Sequence, residues 1–261
     1  MSVDVQAIVE GVRARDYTVQ LRARGAGAAP VAALSGLLGD PDEEVRQLAV
    51  HCLAETGDPS AAGGLAAALF DPDPQVAMAA ARALHAFTDP SIAPALLQAY
   101  DRAAEPAVRR EVALVLGRVA GSAELLAMRQ RWETEASEEA KEGLTVTLAR
   151  CGDDDAREAF ERSLRASAGR DRLRWLQHAE FVAQRWLLPA LGEVLDDQTP
   201  VLRVGVDARP DRIDALRACD LALNLIARIT GARLSFPVTL AHNYSDAELD
   251  EARRLVRATP P

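Results

Sequence analysis

Residues 39–61, GDPDEEVRQLAVHCLAETGDPSA, return as residues 70–92, FDPDPQVAMAAARALHAFTDPSI. The offset of 31 residues superposes Val45 on Val76, Leu53 on Leu84 and Asp58 on Asp89, and the two DPD turns coincide. Similarity at a fixed period of this length is the mark of stacked repeats, each one supersecondary unit. Extended at 31 or 32 residues, the register gives an apolar column of Leu34, Leu65, Leu96, Met128, Phe160 and Leu191. A second column runs Leu38, Leu69, Tyr100, Trp132, Leu164 and Leu195. A third and a fourth run Val45, Val76, Val108, Ala140 and Leu53, Leu84, Leu116, Leu148, with Ala49, Ala80, Val112 and Leu144 between them. Spacing by four places these side chains on one face of a helix.

Each unit therefore reads as a first helix, a turn, a second helix and a loop; in the second unit the helices are expected over 60–70 and 74–87. Asp-Pro pairs at 40–41, 58–59, 71–72 and 89–90 punctuate the units. Aspartate there is expected to cap the next helix while proline fits its first turn. Such a unit cannot bury its stripe alone, so neighbours must stack. The fold class expected is all-α, an α-solenoid over residues 1–196. Val3 to Arg24 reads as a degenerate first unit, with Leu21 in the column of Leu53 and with Arg13, Arg15, Arg22 and Arg24 on its second helix. After Asp197 the register fails, and residues 197–261 read as an inserted loop at 198–212 and capping helices that continue the stack, helical pattern resuming at about Ile213. VLRVGV (201–206) and RLSFPVTL (233–240) favour extended structure and suggest a small hairpin between them. Ser245 and Glu248 form a capping-box pattern that starts a last helix to about Arg257, carrying Leu249 and Val256.

The composition agrees with a folded helical chain. Of 261 residues, 49% are hydrophobic but only 4% aromatic, so small aliphatic side chains carry the core. The net charge of −9 opposes attraction to a polyanion and disfavours nucleic acid as a partner. Arginine outnumbers lysine 29 to 1, Lys141 being the lysine, which fits GC-rich coding better than function. Cys52, Cys151 and Cys219 show no CxxC spacing and read as small buried thiols. The opening MSVDVQAIVEGVRARD has acids inside its apolar part, and no uncharged run is long enough to span a bilayer; a cytoplasmic protein is expected.

The repeat pattern resembles HEAT repeats, particularly the short bacterial variety called PBS-lyase HEAT-like repeats, over roughly residues 3–196. The resemblance implies superhelical surfaces that bind proteins, with second helices on the concave side. A minority of that family are enzymes or enzyme accessories, among them phycobilin lyases, deoxyhypusine hydroxylase and an alkylpurine DNA glycosylase group. Deoxyhypusine hydroxylase holds iron through repeated His-Glu motifs; His51, His85, His178 and His242 form no such pair and no HExxH, so neither metal nor cofactor is expected. No GxSxG elbow, P-loop or GxGxxG occurs. The glycosylase group needs a basic track, whereas here arginines alternate with runs such as Glu133, Glu135, Glu138 and Glu139.

The face of the second helices away from the core stripe is unusually apolar. It carries Gln47, Val50, His51 and Ala54, then Met78, Ala81, Arg82 and His85, then Arg110, Ala113, Leu114 and Gly117, then Glu142, Thr145, Val146 and Ala149. A helix apolar nearly all round is expected to be covered by something. The reading is a protein-binding groove with Val50, Met78, Leu114 and Val146 as floor and His51, Arg82, Arg109, Arg110 and Arg118 as polar rim, suited to an acidic or helical segment of another protein. Burial of these residues by tight curvature or by the carboxyl-terminal loop is the competing account. Arg46, Arg109 and Lys141 share one column and suggest a ladder of pairs with inter-repeat aspartates, while Trp175 and Trp186 read as core. The function expected is a non-catalytic adaptor; the alternatives are an enzyme or accessory of the bilin-lyase type, or an immunity or inhibitor protein.

Overall fold

The structure, a computed structural model, describes residues 3–203, 215–239 and 242–260. The chain divides into two compact units, residues 1–151 and 152–261. In the first unit, α1 (Val5–Arg13) and the short α2 (Val19–Ala23) precede four helix pairs: α3 (Val31–Gly36) with α4 (Glu43–Glu55), α5 (Ala61–Ala68) with α6 (Pro74–Leu84), α7 (Ala93–Arg102) with α8 (Pro106–Val119), and α9 (Ser122–Thr134) with α10 (Glu138–Arg150). First helices α3, α5, α7 and α9 pack in sequence as one layer, and second helices α4, α6, α8 and α10 as the other. This is an all-α solenoid arrangement.

The columns read from the sequence are the seams. Leu34, Leu65, Leu96, Met128, Phe160 and Leu191 are all fully buried, as are Ala49, Ala80, Val112 and Leu144. Each large aliphatic among them contributes about 1.5–3 kcal/mol of transfer free energy. In the column behind, Leu38 and Trp132 are half-buried while the other four are buried. At 89–90 the aspartate caps the next helical turn and Pro90 sits in its first position, as expected, but the turns at 40–42 and 71–73 divide the capping work differently. Asp40 and Asp71 accept the main-chain N–H of Asp42 and Asp73, and it is Asp42 and Asp73 that cap α4 and α6. The proline between them is outside the helix, because its preceding aspartate is already committed to the turn.

At the amino end, Leu21 is 70% exposed and does not belong to the column of Leu53; α2 has only five residues, and it buries Val19 and Ala23 instead. Arg13 ends α1 rather than lying on the second helix, while Arg15 reaches Asp42 and Glu44, and Arg24 reaches Glu55.

The expected ladder is present. Arg46 donates through Nε and Nη2 to the Asp71 carboxylate at 2.7 and 2.9 Å, and through Nη1 to the carbonyls of Asp40 and Pro41. Arg109 repeats this two repeats on, with Glu135 at 3.1 and 3.2 Å and the carbonyls of Ala103 and Ala104. Lys141 departs from the pattern and rests over the Trp132 ring.

The second unit contains α11 (Asp154–Ala166), α12 (Gly169–Val182), α13 (Leu188–Val194), α14 (Ala218–Thr230) and α15 (Asp246–Ala258). Trp175 is buried and Trp186 half-buried, both edge-on to the buried Phe160. Arg172 carries the ladder here, bonding the Ser167 carbonyl and facing Asp197. The ribbon corrects the hairpin reading: β1 (Pro200–Arg203) pairs antiparallel with β2 (Ala215–Arg217), not with 233–239. Pro237 cannot join a ladder, and that segment is tied elsewhere, Ser235 to Glu251 and the Thr239 N–H to the Tyr244 hydroxyl. Helix α14 begins at Ala218; Ile213, most of the 198–212 insertion, residues 204–206 of VLRVGV and Leu240 lie outside the described residues. Ser245 and Glu248 do form the capping box of α15, with Leu249 buried.

The closest helix contact is between α8 and α10. A Cβ on Gly143 would lie 2.6 Å from the Arg110 carbonyl oxygen, and one on Gly117 would lie 2.8 Å from Thr147 Oγ1. Thr147 uses the approach to donate to the Ala113 carbonyl at 2.6 Å. Gly143→Ala should therefore push two backbones apart and cost about 1–3 kcal/mol, read as a lower midpoint in thermal and urea melts, whereas Gly63→Ala, which meets open space, should not destabilise.

Candidate protein-interaction face

The residues proposed from sequence divide into four groups. Val50 and Val146 are fully buried and Leu114 is only 8% exposed, so they form no open floor. The reason is lateral: α4 packs on α6, α6 on α8 and α8 on α10, and the flanks of a second helix are consumed by its neighbours. Arg109 is committed to Glu135 and two turn carbonyls, which makes it a structural member of the ladder. What faces outward is His51 on α4 and Met78 on α6, both half-buried, with Arg82 exposed one turn beyond Met78. Burial lowers the His51 pKa against the opposing pull of Glu55, so this imidazole is neutral at pH 7.

Arg110 belongs to a chain of polar contacts across three second helices. His85 Nε2, at the end of α6, lies 3.1 Å from Glu111 Oε2 on α8. Arg110 donates to Glu111 Oε1 at 3.0 Å and to Glu139 Oε1 on α10 at 2.8 Å. Burial resists ionisation of Glu111, but hydrogen bonds from His85 and Arg110, with the Arg110 charge, outweigh it and hold the pKa at about 2. Neither His85 nor Glu111 had been singled out as part of a network; their partners lie 26 residues apart in sequence, the offset at which Arg109 also meets its acid.

The thiols offer no activated nucleophile. Burial pushes Cys52 up to about 12 and Cys219 up to about 11. Cys151, expected to be buried, is exposed at the carboxyl cap of α10, where the helix has ended. Among the described residues, no group of three or more His, Cys, Asp and Glu side chains is placed to hold a metal ion, and no helix is long and apolar enough to cross a membrane.

A second cluster missed in the sequence surrounds Asp220, fully buried at the start of α14. It accepts from Arg217 Nε and Nη2 and from the Tyr244 N–H, while Arg217 also donates to the Tyr244 carbonyl. This clamps the approach to α15 against α14. The signal that could have found it was an aspartate in the run ACDLALNLIA, apolar but for Asp220 and Asn224.

Comparison with known proteins follows the architecture. The pattern of HEAT repeats matches residues 30–103 and 64–149. No curated protein matches the chain. Among solved structures, the complex of CpcE and CpcF of phycocyanin lyase from Nostoc sp. PCC7120 superposes with a TM-score of 0.60 at 16% identity, over 99% of this chain and 95% of that one. The archaeal HEAT-like repeats protein from Thermococcus onnurineus NA1 gives 0.46 at 14% identity, over 98% of both chains. Human deoxyhypusine hydroxylase in complex with glycerol gives 0.39 at 16%, over 98% of this chain and 95% of that one. At these identities, the likeness to the first is one of fold.

The Glu111 chain has a pH signature. Its folded pKa of about 2 lies below the ordinary 4.5, so its stabilisation is complete above that ordinary value and is lost as pH falls towards 2. The full effect is on the order of 3 kcal/mol. Urea melts of wild type and Glu111→Gln should differ most at pH 7, and the difference should shrink steadily below about pH 4.5 as pH falls towards 2; a difference independent of pH would contradict the assignment.

Proposed function

The chain is a HEAT-repeat protein, and from that premise we propose that it is an adaptor whose second-helix layer in the first unit binds a segment of another protein. The observation that carries the reading is Met78, a large flexible apolar side chain left half-open on α6, with exposed Arg82 on the same helix. A thioether of this kind adapts to varied apolar partners. Arg82 forms no ion pair among the described residues and is available to an acidic residue of the partner, while the neutral His51 on α4 adds a surface that is cheap to desolvate. Val50, Leu114 and Val146 pack within this layer, and Arg109 and Arg110 fix its backbone and polar network. An acidic helical segment suits the arrangement, laying an apolar residue on Met78 and a carboxylate on Arg82. Masking a partner's own site, as an immunity or inhibitor protein does, is one form such binding takes. The raised thiols weigh against a thiol-dependent reaction of the bilin-lyase type.

Affinity capture from lysate of the source organism tests the reading. A Met78→Glu, Arg82→Glu variant, shown by circular dichroism to be folded, should lose a specific partner by about tenfold or more, the scale of one desolvated anchor. Leu126→Glu, on the exposed side of α9, should retain it. Equal capture by wild type and the double variant would overturn the proposal.

A further inference from the structure

The ladder has one empty rung. Aligned on the repeat, the donor column runs Arg46, Ala77, Arg109, and the acceptor column facing it runs Asp71, Ala103, Glu135. At the step between α6 and α8, alanine therefore replaces both the cation and its acid. A cavity of about 360 Å³ lies at that place, lined by Phe70, Pro72, Pro74, Ala77 and Ala103 and closed by Val108 below.

The acceptors of the missing side chain are still there. In the filled rungs, arginine Nη1 bonds two successive turn carbonyls, those of Asp40 and Pro41 or of Ala103 and Ala104. The counterparts at the empty rung are the carbonyls of Asp71 and Pro72, which accept no hydrogen bond among the described residues, and both residues line the cavity. Glu105, also in the lining, stands at the amino cap of α8 but makes no capping bond and no ion pair among the described residues. The cation lining the cavity, Arg102, is taken up by the Phe70 ring, its guanidinium carbon 5.1 Å from the centroid. The wall thus combines alkyl surface for a three-carbon stem, two free carbonyls and a free carboxylate, on a chain of net charge −9.

From this geometry we infer that the cavity between the turns at 71–74 and 102–105 receives an arginine side chain supplied in trans by a partner protein, which completes the ladder. The guanidinium bonds the Asp71 and Pro72 carbonyls and pairs with Glu105, and its planar fork suits this set better than an ammonium. The site is distinct from the second-helix face and stands whether or not Met78 is used.

The probe is N-acetyl-arginine N-methylamide, titrated into the full chain and followed by amide chemical shifts. Shifts should cluster at residues 70–77 and 102–108. Glu105→Gln should weaken binding about tenfold, the loss of one charge-assisted contact. Ala77→Arg, which fills the rung in cis, should abolish binding; Ala77→Met, which fills it without charge, should do the same and serves if the arginine variant does not fold. N-acetyl-norleucine N-methylamide, of similar reach without the fork, should bind at least tenfold more weakly. Shifts that are absent or spread over the surface, equal binding of the norleucine probe, or unchanged binding by Glu105→Gln would each overturn the inference.

Discussion

A helix pair of 31 or 32 residues carries more apolar surface than it can cover, and the architecture follows from that deficit. One stripe, Leu53, Leu84, Leu116 and Leu148, turns inward, and every member of it is buried. The flanks of each second helix must then be met by the next second helix, which is why Val50 and Val146 disappear into the layer although they point away from the stripe. The α8–α10 contact is the extreme case: Gly117 and Gly143 let the backbones approach until Thr147 bonds a carbonyl of the neighbouring helix. Apolar burial supplies the attraction and small residues set the spacing.

Charge is used at the turns, where the apolar seams end. Arg46 and Arg109 each join a turn of their own repeat to an acid of the next, partly shielded from water. These pairs align successive repeats more than they stabilise them, since desolvation offsets much of their Coulomb energy. The same reasoning separates the functional residues: Arg109 is bound into this frame, Arg110 into a network with Glu111 and Glu139, and Arg82 into neither.

The repeat, its seams and the last capping box were legible because period and spacing are properties of one chain read along its length. Leu21 misled because a match of 32 residues says nothing about whether a five-residue helix buries that position; Val19 and Ala23 took the space. Val50, Leu114 and Val146 misled because a helical projection knows one neighbour, whereas a stacked helix has two. His85 with Glu111, and Arg217 with Asp220 and Tyr244, were not legible as clusters, since each depends on side chains brought together by the fold. Pairing of β1 with β2 instead of 233–239 turned on Pro237 and on the hold of Glu251 on Ser235, which outweigh strand propensity.

The central claim is that Met78 marks a surface another protein covers, and site-specific photocrosslinking tests it most directly. A benzophenone side chain placed at position 78 in the living source organism, with position 126 on α9 as the exposed control, should yield one discrete protein adduct at 78 and none at 126. No adduct at 78, or the same adducts at both positions, would contradict the account.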